Sequence, residues 1–276
     1  TVPELPTVDA FRRYLIKEKL IGNRITSVDV SWPRSIISPN HDRFLDNIKD
    51  GIITSIDRRG KWLFLVLDKG ILGIHLRMTG SLFVVGNADD RTPYVRTTFD
   101  LQDGRKLLLS DPRKFGKLWF GDDNKEILAK LGPEPVNELL ESHADFRFDE
   151  FSKHFIKRNI FLKTLLLDQA IVAGIGNIYA DEILLHSKLS PFVRTSDLNK
   201  TDIEILFESI VIVIGDAIRD LDLLLKKGVL PVGNEESKSH FKLPRFIGGE
   251  CQICGSQVAW TKINGRGTYY CEKCQA

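Results

Sequence analysis

The sequence predicts an α+β protein of several domains: an N-terminal β-sandwich flanked by helices, then a helical module, then a β-hairpin zinc finger. Three observations predict it. Between Ile25 and Phe120, short runs of β-branched and aromatic residues recur between turn signals, the rhythm of a sandwich rather than a βαβ sheet. From Phe148 to Leu225 the apolar residues fall at helical spacing. All four cysteines lie after residue 250, in two CxxC pairs.

At 276 residues the chain is long enough for more than one core. A hydrophobic fraction of 42% and a charged fraction of 28% place it among soluble globular proteins. Lys and Arg number 39 against 37 Asp and Glu, so the formal charge of +2 carries no global signature for a polyanion, and any such affinity must be local. No 18-residue apolar run and no basic-then-apolar leader occurs, so the expectation is a cytoplasmic protein without membrane contact.

Taken in order, Thr7 to Leu20 reads as an amphipathic helix with Val8, Phe11 and Leu15 on one face and Gly22 placed to stop it. Strands are expected at Val28 to Trp32, Trp62 to Leu67, Ser81 to Val85, Val95 to Leu101 and Leu107 to Leu109, with a short helix at Phe44 to Ile48. Gly132-Pro133-Glu134-Pro135 breaks both periodicities and marks a boundary. The expected domains are 1–132, a linker at 133–147, a helical domain at 148–227, a mobile loop at 228–249 and a finger at 250–276. The helices are expected at Phe148 to Ile156, Leu162 to Gln169, Asn177 to Leu185 and Asn199 to Leu225.

Sixteen residues separate Cys251-x2-Cys254 from Cys271-x2-Cys274, a spacing that suits four thiolates around one tetrahedral, structural zinc ion. Between the pairs, Asn264-Gly265-Arg266-Gly267 suits a tight hairpin with Arg266 at its tip, placed to meet a phosphate or a groove. The glycines of Val172 to Tyr179 lead into a helix starting near Asn177, whose exposed amides and asparagine side chain suit a phosphate. Lys163 lies one helix earlier. By themselves these two residues fit an ordinary helix corner and a surface lysine equally well. Met78, the only methionine, sits on a turn in His75-Leu76-Arg77-Met78-Thr79-Gly80, and suits either a wedge between stacked bases or a filler beneath the loop. In Asp111-Pro112-Arg113-Lys114-Phe115-Gly116, Arg113 can donate to a base edge and Phe115 can stack on a base. At the start, Pro3-Glu4-Leu5-Pro6 is a stiff lead-in to the first helix.

Together these stretches resemble the formamidopyrimidine-DNA glycosylase family, in order and over nearly the whole chain. Pro-Glu-Leu-Pro is nearer to this branch than to the related endonuclease VIII branch. The resemblance implies a β-sandwich joined to a helix-two-turn-helix module and a zinc finger. It implies a bifunctional glycosylase and abasic-site lyase that acts, as a monomer, on double-stranded DNA containing oxidised purines or abasic sites. Pro3 is then the amine nucleophile, Glu4 handles protons, and Lys61 ranks with them as catalytic. Met78, Arg113 and Phe115 fill the hole left by the extruded base. Lys61, His75, Lys163, Asn177 and Arg266 hold phosphates, and Glu182 is a further carboxylate near the reaction.

An α-amino group suits such a role because its ordinary pKa is about 7.7 to 8.0 against about 10.4 for lysine. Three departures stand against the family pattern. Thr1-Val2 precede Pro3, so its nitrogen is an amide, and two extended residues displace a free amine by up to about 7 Å. Thr7 stands where the family has a glutamate. Pro93-Tyr94-Val95-Arg96 replaces a Lys-His-Asp-His segment, and the approach to the finger is rewritten over Gly228 to Gly249. The sequence therefore supports an active repair enzyme first and a lesion-binding protein without covalent catalysis second. An RNA-binding zinc ribbon is a distant third, because it has no use for Met78, Arg113 and Phe115.

Overall fold

Proline placement sets the first element. Pro6 occupies the first turn of α1 (Leu5–Lys17), where its missing N–H costs no helical bond, and Glu4 precedes it in an extended conformation. Leu5, Val8, Phe11 and Leu15 form the buried stripe. The helix stops at Lys17, short of the expected Leu20, because Lys19 adopts a left-handed φ of 56° before Gly22 is reached.

The computed structural model describes residues 2–86, 92–137, 140, 143–156, 158–230 and 241–275. It divides into two compact units, Thr1–Ala129 with Leu221–Ser237 and Lys130–Asp220 with Lys238–Ala276. In the first, strands β1 (Ile25–Val30), β2 (Ile36–Ser38), β3 (Ile53–Arg59), β4 (Trp62–Leu67), β5 (Gly70–His75), β6 (Ser81–Val85), β7 (Val95–Leu101), β8 (Lys106–Ser110) and β9 (Lys117–Gly121) form two sheets. Their orders are β1-β7-β8-β6 and β2-β9-β5-β4-β3, antiparallel except for the β2–β9 pair. Helix α2 (His41–Ile48) is capped by the Asn40 side chain, and α3 (Lys125–Leu128) follows the last strand.

One apolar core joins both sheets to the helices. Phe11 and Leu15 of α1, Phe44 and Ile48 of α2, Leu63, Leu65 and Ile74 of one sheet, and Leu82, Phe99 and Leu107 of the other pack together. This is the expected sandwich, and strands β4, β6 and β7 have the bounds that alternation and β-branching predict.

The second unit holds α4 (Phe148–Lys153), α5 (Leu162–Leu166), α6 (Asn177–His186) and α7 (Lys200–Lys226), the last of which continues into the first unit from Leu221. Phe146 stacks on Phe207 at 4.5 Å between centroids, and Phe151 meets Phe146 edge-on at 5.4 Å, which fixes the α4 end of this unit. Around the 133–147 stretch, Gly132 donates to Gln169 O and Ala173 donates to Pro133 O. A Cβ on Gly132 would lie 2.3 Å from Ala170 O, so the backbones there meet too closely for any side chain. Helix α5 ends three residues before the expected Gln169, because the Gln169 amide turns back to bond Leu167 O and Ile175 O while its carbonyl accepts Gly174 N–H.

Strands β10 (Ala259–Ile263) and β11 (Arg266–Tyr270) form the finger hairpin. Its turn is Asn264-Gly265, at φ 46° and 75°, the left-handed pair that a two-residue hairpin requires. Arg266 is thus not at the tip as expected but is the first residue of β11, paired with Ile263. Of the expected loop at 228–249, residues 231–240 lie outside the described residues. Among the described residues no helix is long and apolar enough to cross a membrane.

Candidate active site and nucleic-acid interface

In the first unit, Glu4 immediately precedes α1 and is 0% exposed, with Pro3 buried beside it. Thr1, the alternative amine, lies outside the described residues. The same helix is tied to β3 through Asp9, which accepts from Arg12 at 3.0 Å, Arg13 at 2.7 Å and Arg58 at 3.4 Å. Burial alone would raise the Asp9 carboxyl, but Arg58, Arg12 and Arg13 outweigh it and hold the carboxyl below the usual range. Arg58 leads directly into the Gly60-Lys61 turn between β3 and β4. Gly60 has φ 57°, as the first position of a type II′ hairpin demands, so Lys61 is presented at the hairpin end.

His75 ends β5 opposite Trp62, edge-on to the indole at 5.0 Å, and its Nδ1 accepts the Arg77 N–H at 3.1 Å. Burial first, then the charges of Arg77 and Lys61, push its pKa down to about 3. The ring is therefore neutral near pH 7 with its proton on Nε2, the nitrogen left to donate to an anion.

The next two turns form one assembly. Arg77 takes a left-handed φ of 54°, and a Cβ on Gly80 would lie 2.6 Å from Leu76 O, so the turn that raises Met78 is sterically fixed. Asp111, 1% exposed, organises both turns: one carboxylate oxygen accepts the Thr79 hydroxyl and Arg113 N–H, and the other accepts Gly116 N–H at 2.7 Å. Above it, the Arg113 guanidinium lies 4.6 Å over the Phe115 ring, with Nη1 3.8 Å from Met78 Sδ. Met78 and Phe115 are 40% and 44% exposed, which removes the reading of Met78 as a core filler. Lys114, φ 59°, sets its ammonium 4.4 Å over the Trp32 ring.

In the second unit, Lys163 and Asn177 meet on the finger. Lys163 is 1% exposed. Its ammonium donates to Gly267 O at 3.0 Å and Thr268 Oγ1 at 2.8 Å, and pairs with Asp181 at 2.6 Å. Asn177 Nδ2 donates to the same Gly267 carbonyl at 2.9 Å. The two residues expected at a phosphate are thus brought together, with Lys163 engaged by protein oxygens. Asp181 also accepts from Arg245 at 2.8 Å and Tyr269 N–H at 3.1 Å, and Arg245 stacks 4.7 Å over Tyr269. Glu182, expected near a reaction centre, accepts Lys242 N–H at 3.0 Å and Leu243 N–H at 2.9 Å. Burial pushes its pKa up to about 7. Arg266 is exposed beside the turn. Sequence reasoning missed Asp9, Asp111, Asp181 and Arg245. Only Asp111, heading an Asp-Pro turn, carried a local signal, that of a side chain bonding amides ahead of it.

The Sγ atoms of Cys251, Cys254, Cys271 and Cys274 all lie within 4.8 Å of one another. A tetrahedron with metal–sulfur bonds of about 2.3 Å has edges of about 3.8 Å, so the cluster fits one ion with no open position. Gln275 fastens this knuckle by accepting Cys271 N–H and donating to Leu189 O.

Comparison with known proteins agrees with this arrangement. Residues 2–118 match the family model for the formamidopyrimidine-DNA glycosylase N-terminal domain, and residues 131–225 match the one for its H2TH domain. The formamidopyrimidine-DNA glycosylase of Protochlamydia amoebophila is 34% identical, with 99% of each chain covered, and that of Herpetosiphon aurantiacus is 33% identical over 100% of both. Among solved structures, Lactococcus lactis Fpg in complex with abasic-site DNA aligns with TM-score 0.86 at 28% identity, covering 99% of each chain. MutM in complex with DNA containing carbocyclic 8-oxo-G aligns with TM-score 0.85 at 29% identity, again covering 99% of each. With both family domains matched and full-length relatives above 30% identity, the chain belongs to the formamidopyrimidine-DNA glycosylase family.

Proposed function

We propose that this protein is a DNA repair glycosylase that excises oxidised purines, formamidopyrimidines and 8-oxoguanine, from duplex DNA, and that it also acts as an abasic-site lyase. The observation that carries the reading is the assembly of Met78, Arg113 and Phe115 on two turns locked through Asp111. An exposed thioether and a ring, both already in contact with the planar cation of Arg113, can fill the gap left by an extruded nucleotide with little further loss of side-chain freedom. Lys61, His75 and Asn177 supply donors for the backbone, and Arg266 supplies a cation from the finger. Lys163 supports the same contact by fixing the Gly267 carbonyl. Zinc in the four-cysteine cluster stabilises the hairpin that bears Arg266.

For the chemistry, the Pro3 amine attacks C1′ of the extruded nucleotide as the glycosidic bond breaks and the base leaves with a proton. Loss of the ammonium proton leaves a neutral aminal, and the C1′–O4′ bond then breaks, with O4′ taking a proton, to give the ring-opened iminium. Glu4 moves protons at the opening sugar, and loss of the C2′ proton then expels the 3′ phosphate, with the 5′ phosphate following in δ-elimination. That step needs a free amine, whereas Val2 acylates Pro3 in the chain as given. This one feature favours a second reading, a protein that binds and probes lesions without covalent catalysis. Borohydride reduction with duplexes carrying 8-oxoguanine or a formamidopyrimidine, alongside N-terminal sequencing of the same sample, decides between them. A trapped adduct is expected, together with Pro3 at the free end or an adduct on the Thr1 amine. Intact Thr1-Val2 with no adduct on either lesion would sink the enzymatic reading.

A further inference from the structure

The register between β7 and β8 shifts between Val95 and Thr97, which pair with Ser110 and Leu109, so Arg96 has no partner in β8. Such a bulge re-aims one side chain out of the alternation of its strand. Here the side chain is a guanidinium, and its Nε donates to Asp111 O at 2.9 Å. On its other side the Arg96 carbonyl accepts Ser31 N–H at 2.9 Å, which holds the bulge against the end of β1. Asp111 is tethered to the same segment a second time, since its N–H donates to Tyr94 O at 3.0 Å. Lys114 N–H also donates to the Asp111 carbonyl, at 3.4 Å, so Arg96 supplies the shorter bond. Through its carboxylate, Asp111 then binds Thr79, Arg113 and Gly116, the residues that shape both probing turns.

We propose that Arg96 is a positioning residue for base-pair probing: from the β7 bulge it fixes Asp111, and through Asp111 the relative placement of Met78, Arg113 and Phe115. The inference rests on the reading that these three residues enter the duplex. A charge-assisted bond to a buried carbonyl is strong enough to matter, and removing its donor leaves that carbonyl with the longer bond.

The test compares wild type with Arg96→Met, which keeps the stem but has no donor, and Arg96→Lys, which keeps a donor. Two duplexes are used, one with 8-oxoguanine paired to cytosine beside a 2-aminopurine reporter, the other with the same lesion opposite a one-nucleotide gap. On the paired duplex, Arg96→Met is expected to lower kcat and the 2-aminopurine signal about tenfold, the effect of one lost charge-assisted bond, with Kd within about twofold. On the gapped duplex, where no partner base must be displaced, it stays within about twofold of wild type. Arg96→Lys recovers most of the loss. Equal losses on both duplexes, or none on either, would overturn the proposal. If wild type unstacks the reporter but cleaves neither duplex, the catalytic reading fails, and the Arg96→Met comparison in fluorescence still decides the positioning role.

Discussion

At His75 the imidazole is held by two contacts, the Trp62 edge, which follows from β4 pairing with β5, and the Arg77 amide, which follows from the turn after β5. Its candidacy as a phosphate donor came from the family resemblance that the His-Leu-Arg-Met-Thr-Gly stretch helps to carry, but its protonation state was not legible. That state comes from burial and from Arg77 and Lys61, which lower the pKa from 6.5 to about 3. The unfolded chain therefore binds a proton that the folded chain refuses. The stability His75 contributes is complete above pH 6.5 and is lost as pH falls toward about 3. Nitrogen-15 NMR of the imidazole should show the Nε2-protonated neutral tautomer, unchanged from pH 8 to about pH 5. A titration midpoint near 6.5 would refute this assignment and with it the neutral donor role.

Helix α6 shows the same division one level up. Its start at Asn177 was legible from the glycines before it, and its length from apolar spacing. What its side chains do was not legible, because their partners lie far along the chain. Asn177 and Asp181, one turn apart, both reach the finger hairpin, while Glu182 anchors the backbone at Lys242 and Leu243. Glu182→Gln retains one acceptor but aims an amide N–H at the second backbone donor, which should cost about 1–3 kcal/mol. Because the Glu182 pKa is raised from 4.5 to about 7, the folded form binds the extra proton. Its stability is complete below pH 4.5 and declines as pH rises through about 7. Glutamine lacks that slope, so urea unfolding should show a larger deficit at pH 5 than at pH 8. An equal deficit at both would show that Glu182 stays ionised in the folded protein.

At the scale of the whole molecule, two units carry two kinds of order. The first rests on an apolar core shared by two sheets and the helices. Among the described residues, the finger packs on a small apolar cluster in which Cys251 and Cys271 sit with Leu185, Leu243 and Val258. Metal removal should therefore act unevenly. After chelation verified by metal analysis, the finger is expected to unfold and DNA affinity to be lost, while the β-sheet circular dichroism of the first unit persists. Unchanged affinity after verified metal loss would remove the finger from the binding surface. The class of fold, the places of most elements, the cysteine pairs and the family resemblance were all readable along the chain, because alternation, helical spacing, glycine turns and CxxC pairs are local signals. Folding in three dimensions was needed to show that Asp111 joins the turns bearing Met78 and Phe115, that the Arg96 guanidinium reaches the Asp111 carbonyl from a bulge in β7, and that Lys163 pairs with Asp181 and bonds the finger. Each of these depends on groups 15 or more residues apart, and no local pattern encodes which polar atoms burial will force together.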